Sequence, residues 1–153
     1  MNKKGFAFLK IIHLALLSGQ LLFSFVVFYM VYSKMMLPAM QDQDKTFQLM
    51  AIAFAALAYF AGNTLFKKKM VQLRNTPDAS IKEKFVQYRT ACLIQWALLE
   101  AATLFCGVSF LLTGNYAFLA LGGLLIVLFI LLAPNRTRIA LQSGIGIDEA
   151  NEL

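Results

Sequence analysis

The sequence has few of the residues that catalytic and metal sites usually need. It contains one histidine and two cysteines, and it has no CxxC, HExxH, GxSxG or phosphate-loop pattern. A single histidine excludes a bis-histidine haem or a histidine-rich metal site within one chain. Cys92 and Cys106 would lie about 21 Å apart along one helix, which is too far for a disulfide bond. We therefore predict a protein that is not an enzyme and that binds no cofactor or metal ion.

Charged residues are also scarce. They make up 14% of the chain and apolar residues 59%, whereas soluble proteins have about 25% and about 45–50%. A soluble domain of this size cannot bury so much apolar surface, so we expect the excess to face the lipid bilayer. The net charge of +6 does not indicate nucleic-acid binding, because the basic residues flank apolar runs and form no stripe on a polar face.

Four apolar runs are long enough to be membrane spans, since crossing the hydrocarbon core takes roughly 20 residues. The runs do not alternate apolar with polar residues, and an open sheet cannot lie in lipid with unpaired edges. The sequence therefore predicts an all-α polytopic membrane protein, a four-helix bundle. Its transmembrane domain covers residues 1–142, with spans at about 11–32, 47–66, 91–112 and 116–133.

The positions of the basic residues predict the orientation. Twelve of the fourteen lie before the first span, between the second and third, or after the fourth, and only Lys34 and Lys45 lie on the other side. Because basic loops stay in the cytoplasm, we expect both termini to be cytoplasmic. Residues 67–90 then form cytoplasmic helical extensions, and residues 143–153 form a flexible cytoplasmic tail.

The start of the second extension carries an amphipathic pattern. Thr76 can cap the helix, with Pro77 at its first position and Asp78 in its first turn, and Ser80 and Glu83 offer an alternative capping box just downstream. Ile81, Phe85 and Tyr88 then form an apolar stripe with basic residues around it. We favour a lead-in helix that lies at the lipid headgroups. The alternative is a helical hairpin that binds another protein.

The first and third spans resemble each other. Residues 12–30 align with residues 94–112 at a constant offset of 82, with eight identities in nineteen positions. The pairing places His13 opposite Gln95 and Ser18 opposite Glu100. An internal repeat of this kind would make two tandem hairpins related by an axis along the membrane normal, although chance agreement between apolar segments is the alternative. The short turn at 113–115 predicts that the third and fourth helices pack as antiparallel neighbours.

Glu100 is the only acidic residue inside a predicted span. It lies about 16 Å along the helix from Arg89, near the middle of the bilayer, where a charge is costly and no lysine or arginine lies at its depth. Five polar residues are candidate partners in an intramembrane polar cluster: Ser18, Gln20, Tyr59, Asn63 and Thr103. The cluster is either polar glue between helices or part of a proton or cation relay. His13, near the cytoplasmic end of the first span, is expected to lie at the membrane interface.

Several segments resemble a family of small uncharacterised bacterial four-helix membrane proteins. The matching residues are Ile12-His13-Leu14-Ala15-Leu16-Leu17, Tyr88-Arg89-x-Ala91, Ala97-Leu98-Leu99-Glu100-Ala101, Leu112-Thr113-Gly114-Asn115 and Pro134 with the basic residues after it. The similarity covers most of the chain. It implies a location in the bacterial inner membrane and brings no known activity.

Two functions remain open from the sequence. The first is a non-enzymatic accessory, scaffold or assembly component that packs with itself as a homo-oligomer or with other membrane-protein subunits. The alternative is a small transporter, or a proton or cation pathway, that uses Glu100.

Overall fold

The computed structural model describes residues 4–76, 80–135, 137 and 139. It contains four α-helices: α1 Lys4–Tyr32, α2 Asp44–Arg74, α3 Ile81–Thr113 and α4 Ala117–Leu131. A short 3-10 turn, Gln41–Gln43, precedes α2. The described part of the chain contains no strand, so the prediction of an all-helical protein is confirmed.

Three of the helices, α1, α2 and α3, are long and apolar enough to cross a membrane. The fourth is apolar but has only 15 residues, and a helix of that length extends about 22 Å. The hydrocarbon core is about 30 Å thick, so α4 is shorter than a usual span. Its last turn is tightened, with the Ala133 N–H donating to the Ile130 carbonyl, and Pro134 follows. The helix therefore stops sooner than the predicted limit of residue 133.

In cross-section the four helices form a diamond, with α3 and α4 in contact across its short diagonal. α3 packs against all three other helices, and α4 also touches both α1 and α2. Among the described residues, α1 and α2 share hardly any contact, so they stand at the two far corners. The predicted antiparallel pairing of α3 with α4 is confirmed. The first two helices do not pack on each other. The segment 33–43 that joins them is long enough to let them separate, whereas the short turn at 114–116 keeps α3 and α4 side by side.

Local signals fix both ends of α3. The Ser80 N–H donates to Glu83 Oε2 at 2.9 Å, and the Glu83 N–H donates to Ser80 Oγ at 3.3 Å, so of the two expected caps the downstream capping box is the one that forms. Thr76, the other candidate, instead donates its hydroxyl to the Gln72 carbonyl at the end of α2. The helix ends at Gly114, whose φ of 71° is left-handed and whose N–H donates to the Phe110 carbonyl. A Cβ atom on Gly114 would lie 2.8 Å from Pro38 Cγ, so only glycine fits this turn.

The segment between α1 and α2 folds over the turn between α3 and α4. The Met40 N–H donates to the Leu112 carbonyl at 2.9 Å, and Asn115 Nδ2 donates to Asp44 Oδ2 at 2.7 Å. Asn115 Oδ1 also accepts from the Ala117 N–H, at the start of α4. These bonds join all the connections at this end of the bundle, which we call the turn end. The opposite end, where α1 and α3 begin, carries Lys10, Lys67, Lys68, Lys69 and Arg89, and we call it the basic end.

The faces that α1 and α3 turn toward the core match at the offset of 82 residues. Five pairs are buried at both positions: Phe6 and Tyr88, Leu9 and Ala91, His13 and Gln95, Gln20 and Ala102, Val27 and Ser109. The two helices therefore turn corresponding positions inward, both within the aligned segments and in the turns before them. The helices that follow them differ, however, since α4 packs on α3 while α2 stands apart from α1.

Candidate functional site

The predicted polar cluster does not form as one unit. Gln20 and Thr103 are buried, Ser18 is exposed on the outer surface of α1, and Tyr59 is half-buried on α2. Asn63, also on α2, is bonded to a residue that was not among the predicted partners, Gln95 of α3. Two separate polar groups result, one on the α1 side of α3 and one on its α2 side.

Glu100 belongs to the α1 side. It comes four residues after Trp96, whose ring lies 4.7 Å from that of His13, and seven residues before Gly107. A Cβ atom on Gly107 would lie 2.6 Å from Phe23 Cε1, so the α3 backbone is in close contact with α1 there. Residues spaced by four and seven share a helix face, which places Glu100 on the face that meets α1, at its border with the exposed surface.

The Glu100 carboxyl has no partner within the described residues. Its side chain is half-buried, and no hydrogen bond or ion pair links it to another described side chain or to the backbone. Thr103 is one turn away, but its hydroxyl donates to the Leu99 carbonyl of its own helix at 2.9 Å. A carboxyl in this position needs a hydrogen-bond donor or a proton, because an unpaired charge in an apolar region is costly.

Gln20 lies on the same side and is also unpaired. It is fully buried, and neither its amide nitrogen nor its amide oxygen has a hydrogen-bond partner in the described part of the protein. It lies between His13, which contacts Trp96, and Phe23, which contacts Gly107, so it faces α3 near the level of Glu100. A buried unpaired amide costs about 1–3 kcal/mol. The side of α3 that meets α1 therefore carries two unsatisfied polar groups, the Gln20 amide inside the bundle and the Glu100 carboxyl at its border.

His13, which we predicted to lie at the membrane interface, has its side chain buried inside the bundle and 6% exposed. Its ring stacks on Phe129 at 4.6 Å and meets Trp96 edge-on. The His13 Nε2–H donates to the Phe129 carbonyl at 3.0 Å, and the Trp96 Nε1–H donates to the Leu132 carbonyl at 3.3 Å. The last carbonyls of a helix lack partners within it, so these two side chains cap α4. Pro134, which lies just after the end of α4 and cannot continue a helix, was the one sequence signal that the last carbonyls of α4 need donors from other helices.

The second polar group joins α2 to α3. Gln95 Nε2 donates to Asn63 Oδ1 at 2.7 Å, and the neighbouring Gly62 packs against the same residue, since a Cβ there would lie in van der Waals contact with Gln95 Cγ, at 3.4 Å. A cleft of about 330 Å³ opens beside this pair toward the basic end. The other residues that line it all come from α2: Phe66, Lys67, Met70, Val71 and Arg74.

Comparison with known proteins adds no relative from which a role can be transferred. No protein-family model, curated protein or solved structure matches this chain. Within the described residues, no three His, Cys, Asp or Glu side chains come together in a way that could hold a metal ion. The function must therefore be inferred from the two polar groups and from the surfaces around them.

Proposed function

We propose that this chain is an integral protein of the bacterial inner membrane, with both termini in the cytoplasm. Large apolar side chains are exposed on every helix, in larger numbers than a small soluble protein exposes to water. Examples from α1 to α4 are Phe8, Ile11, Leu22, Phe25, Leu49, Leu57, Phe60, Val108, Leu124 and Val127. The cluster of lysines at the basic end supports a cytoplasmic position for that end, because basic loops are retained in the cytoplasm.

Within the membrane we infer a non-enzymatic role, as an accessory or assembly component that binds another transmembrane helix. One observation supports this most strongly: the carboxyl of Glu100, which is half-buried at the border with the exposed surface, has no partner in the described residues. In lipid, such groups are stabilised by a donor from a neighbouring helix, which lowers the cost of keeping them there. The partner helix belongs to a second copy of the chain or to another subunit.

The surface beside Glu100 suits the close approach of a helix backbone. Ala97 and Ala101 are exposed and have the small-xxx-small spacing common at transmembrane helix contacts. On α1, a Cβ atom built on Gly19 would meet nothing within 4 Å, so there is open space at this position too. A helix that lies against these small residues brings its own polar side chains within reach of Glu100.

A proton or cation pathway is the rival function, and the packing favours it less. A pathway needs polar groups in series, but the core positions Leu99, Ala102 and Cys106 of α3 are apolar and each about 1% exposed. The one buried amide on the α1 side, Gln20, has no polar partner that would continue a chain of donors. Thr103 is already bonded within its own helix. The polar pair of Asn63 and Gln95 lies on the other side of α3.

Two substitutions at Glu100 separate these functions. The full chain would be extracted in mild detergent and its assemblies weighed by native mass spectrometry, with Ser18→Leu on the outer face of α1 as the control. We expect Glu100→Gln, which keeps a hydrogen-bonding amide, to retain the assembly, and Glu100→Leu to reduce it at least fivefold. The same proteins in vesicles would be tested for proton flux. Flux in the wild type that Glu100→Gln abolishes would support the pathway and contradict the assembly role.

A further inference from the structure

We propose that the cleft between α2 and α3 binds the phosphate of an anionic phospholipid headgroup. The site does not depend on Glu100, which faces α1. It consists of the amide pair Asn63 and Gln95, the cations Lys67 and Arg74, and an apolar wall that contains Phe66 and Met70.

The inner part of the cleft offers hydrogen-bond donors. The bond from Gln95 Nε2 to Asn63 Oδ1 uses one N–H of the glutamine amide. The second N–H of that amide and both N–H groups of the Asn63 amide have no other partner among the described residues. Both residues line the cleft, and Gln95 is 5% exposed, so its orientation is held by the surrounding packing. Phosphate oxygens accept hydrogen bonds from donors of this kind.

The two charged side chains that line the cleft are both basic. Lys67 follows Asn63 by one turn of α2, and Arg74 lies two turns further along the same side, about 10 Å from Lys67 along the axis. Lys68 and Lys69 are adjacent. Glu83 is the one acidic residue described at this end, and its carboxylate is bonded to the backbone N–H and hydroxyl of Ser80. An anion is therefore the ligand that this electrostatic surface favours.

The depth and the shape of the cleft favour a lipid over a soluble anion. Lys67 stands where the apolar part of α2 ends, the level at which lipid phosphates lie if α2 spans the bilayer. A shallow depression on the exposed side of α2, lined by Thr64, Lys67, Lys68, Val71 and Gln72, shares Lys67 and Val71 with the cleft. The site is thus continuous with the helix surface that contacts lipid. Basic pockets between transmembrane helices on the cytoplasmic side typically hold anionic headgroups.

The test is a lipid titration of the purified full chain, followed by native mass spectrometry. The probes are phosphatidylglycerol, phosphatidylcholine with the same acyl chains, and inorganic phosphate. We expect phosphatidylglycerol to bind in preference to phosphatidylcholine, and inorganic phosphate at equal concentration not to displace it. Lys67→Gln should weaken phosphatidylglycerol binding about fivefold, the effect of one lysine near a membrane surface, and Lys67→Arg should restore it.

Lys69→Gln is the matched control, because it removes the same charge from the same helix end at a residue that lines neither depression. We expect it to change the affinity less than twofold. Equal losses in Lys67→Gln and Lys69→Gln would overturn the proposal in favour of unspecific attraction to the basic end. Equal binding of the two lipids would overturn the requirement for an anion. Displacement by inorganic phosphate would assign the cleft to soluble phosphates instead.

Discussion

The cap that His13 and Trp96 place on α4 gives a prediction that can be worked out quantitatively. His13→Phe keeps a ring that can stack on Phe129 at the present 4.6 Å, but it removes the N–H that donates to the Phe129 carbonyl. Hydrogen bonds between membrane helices contribute about 0.6 kcal/mol on average and up to about 1.7. The Phe129 carbonyl keeps a second donor, the Leu132 N–H at 3.1 Å, so it is not left wholly unpaired. We therefore expect His13→Phe to lower the free energy of unfolding by about 0.5–1.5 kcal/mol.

His13→Ala should cost more, about 2–4 kcal/mol, because it also leaves a cavity between two aromatic rings. The assay is reversible unfolding in mixed micelles, followed by tryptophan fluorescence. Trp96 is the only tryptophan in the chain, and its ring lies next to His13, so the signal reports on this site directly. If His13→Phe were as damaging as His13→Ala, or as stable as the wild type, the hydrogen bond would not have the role described here.

Two glycine positions give further predictions, each measured by the same unfolding assay. Gly107→Ala should destabilise the protein by about 1–3 kcal/mol, because the new Cβ collides with Phe23. The control Gly19→Ala, where a Cβ meets nothing within 4 Å, should leave the stability unchanged. Equal effects at the two sites would refute the close packing of α1 on α3. Gly114→Ala should cost at least about 1–2 kcal/mol for the left-handed backbone, with a further penalty from contact with Pro38; an unchanged stability would mean that this turn is not as described.

Much of the fold follows from local sequence signals. The capping box at Ser80 and Glu83, one of the two caps that the sequence offered, and the turn at Gly114 have strong residue preferences, and both form. The long helices follow from apolar runs that are too long and too uniform for strands. The end of α4 at Leu131 could not be predicted in the same way. The residues from there to Pro134 are all apolar, so the sequence does not show that the helix tightens and stops before the proline.

The partners of the polar residues could not be predicted, for a physical reason. A helix that is apolar on all sides carries no amphipathic pattern to show which face turns inward. The sequence therefore placed Asn63 and Glu100 at comparable depths but could not show that they lie on different sides of α3. For the same reason His13 was assigned to the interface, although it lies within the bundle and caps α4.

The proposal of a partner helix at Glu100 is tested most directly by photo-crosslinking within the native membrane. A photoreactive amino acid at Ala101 would sample the surface beside Glu100, and the same amino acid at Ser18 would sample a different face. We expect a discrete crosslinked product from Ala101, absent from Ser18, retained in Glu100→Gln and strongly reduced in Glu100→Leu. Crosslinking of Ala101 to lipid alone, or a product that Glu100→Leu leaves unchanged, would contradict a partner helix that pairs with this carboxyl.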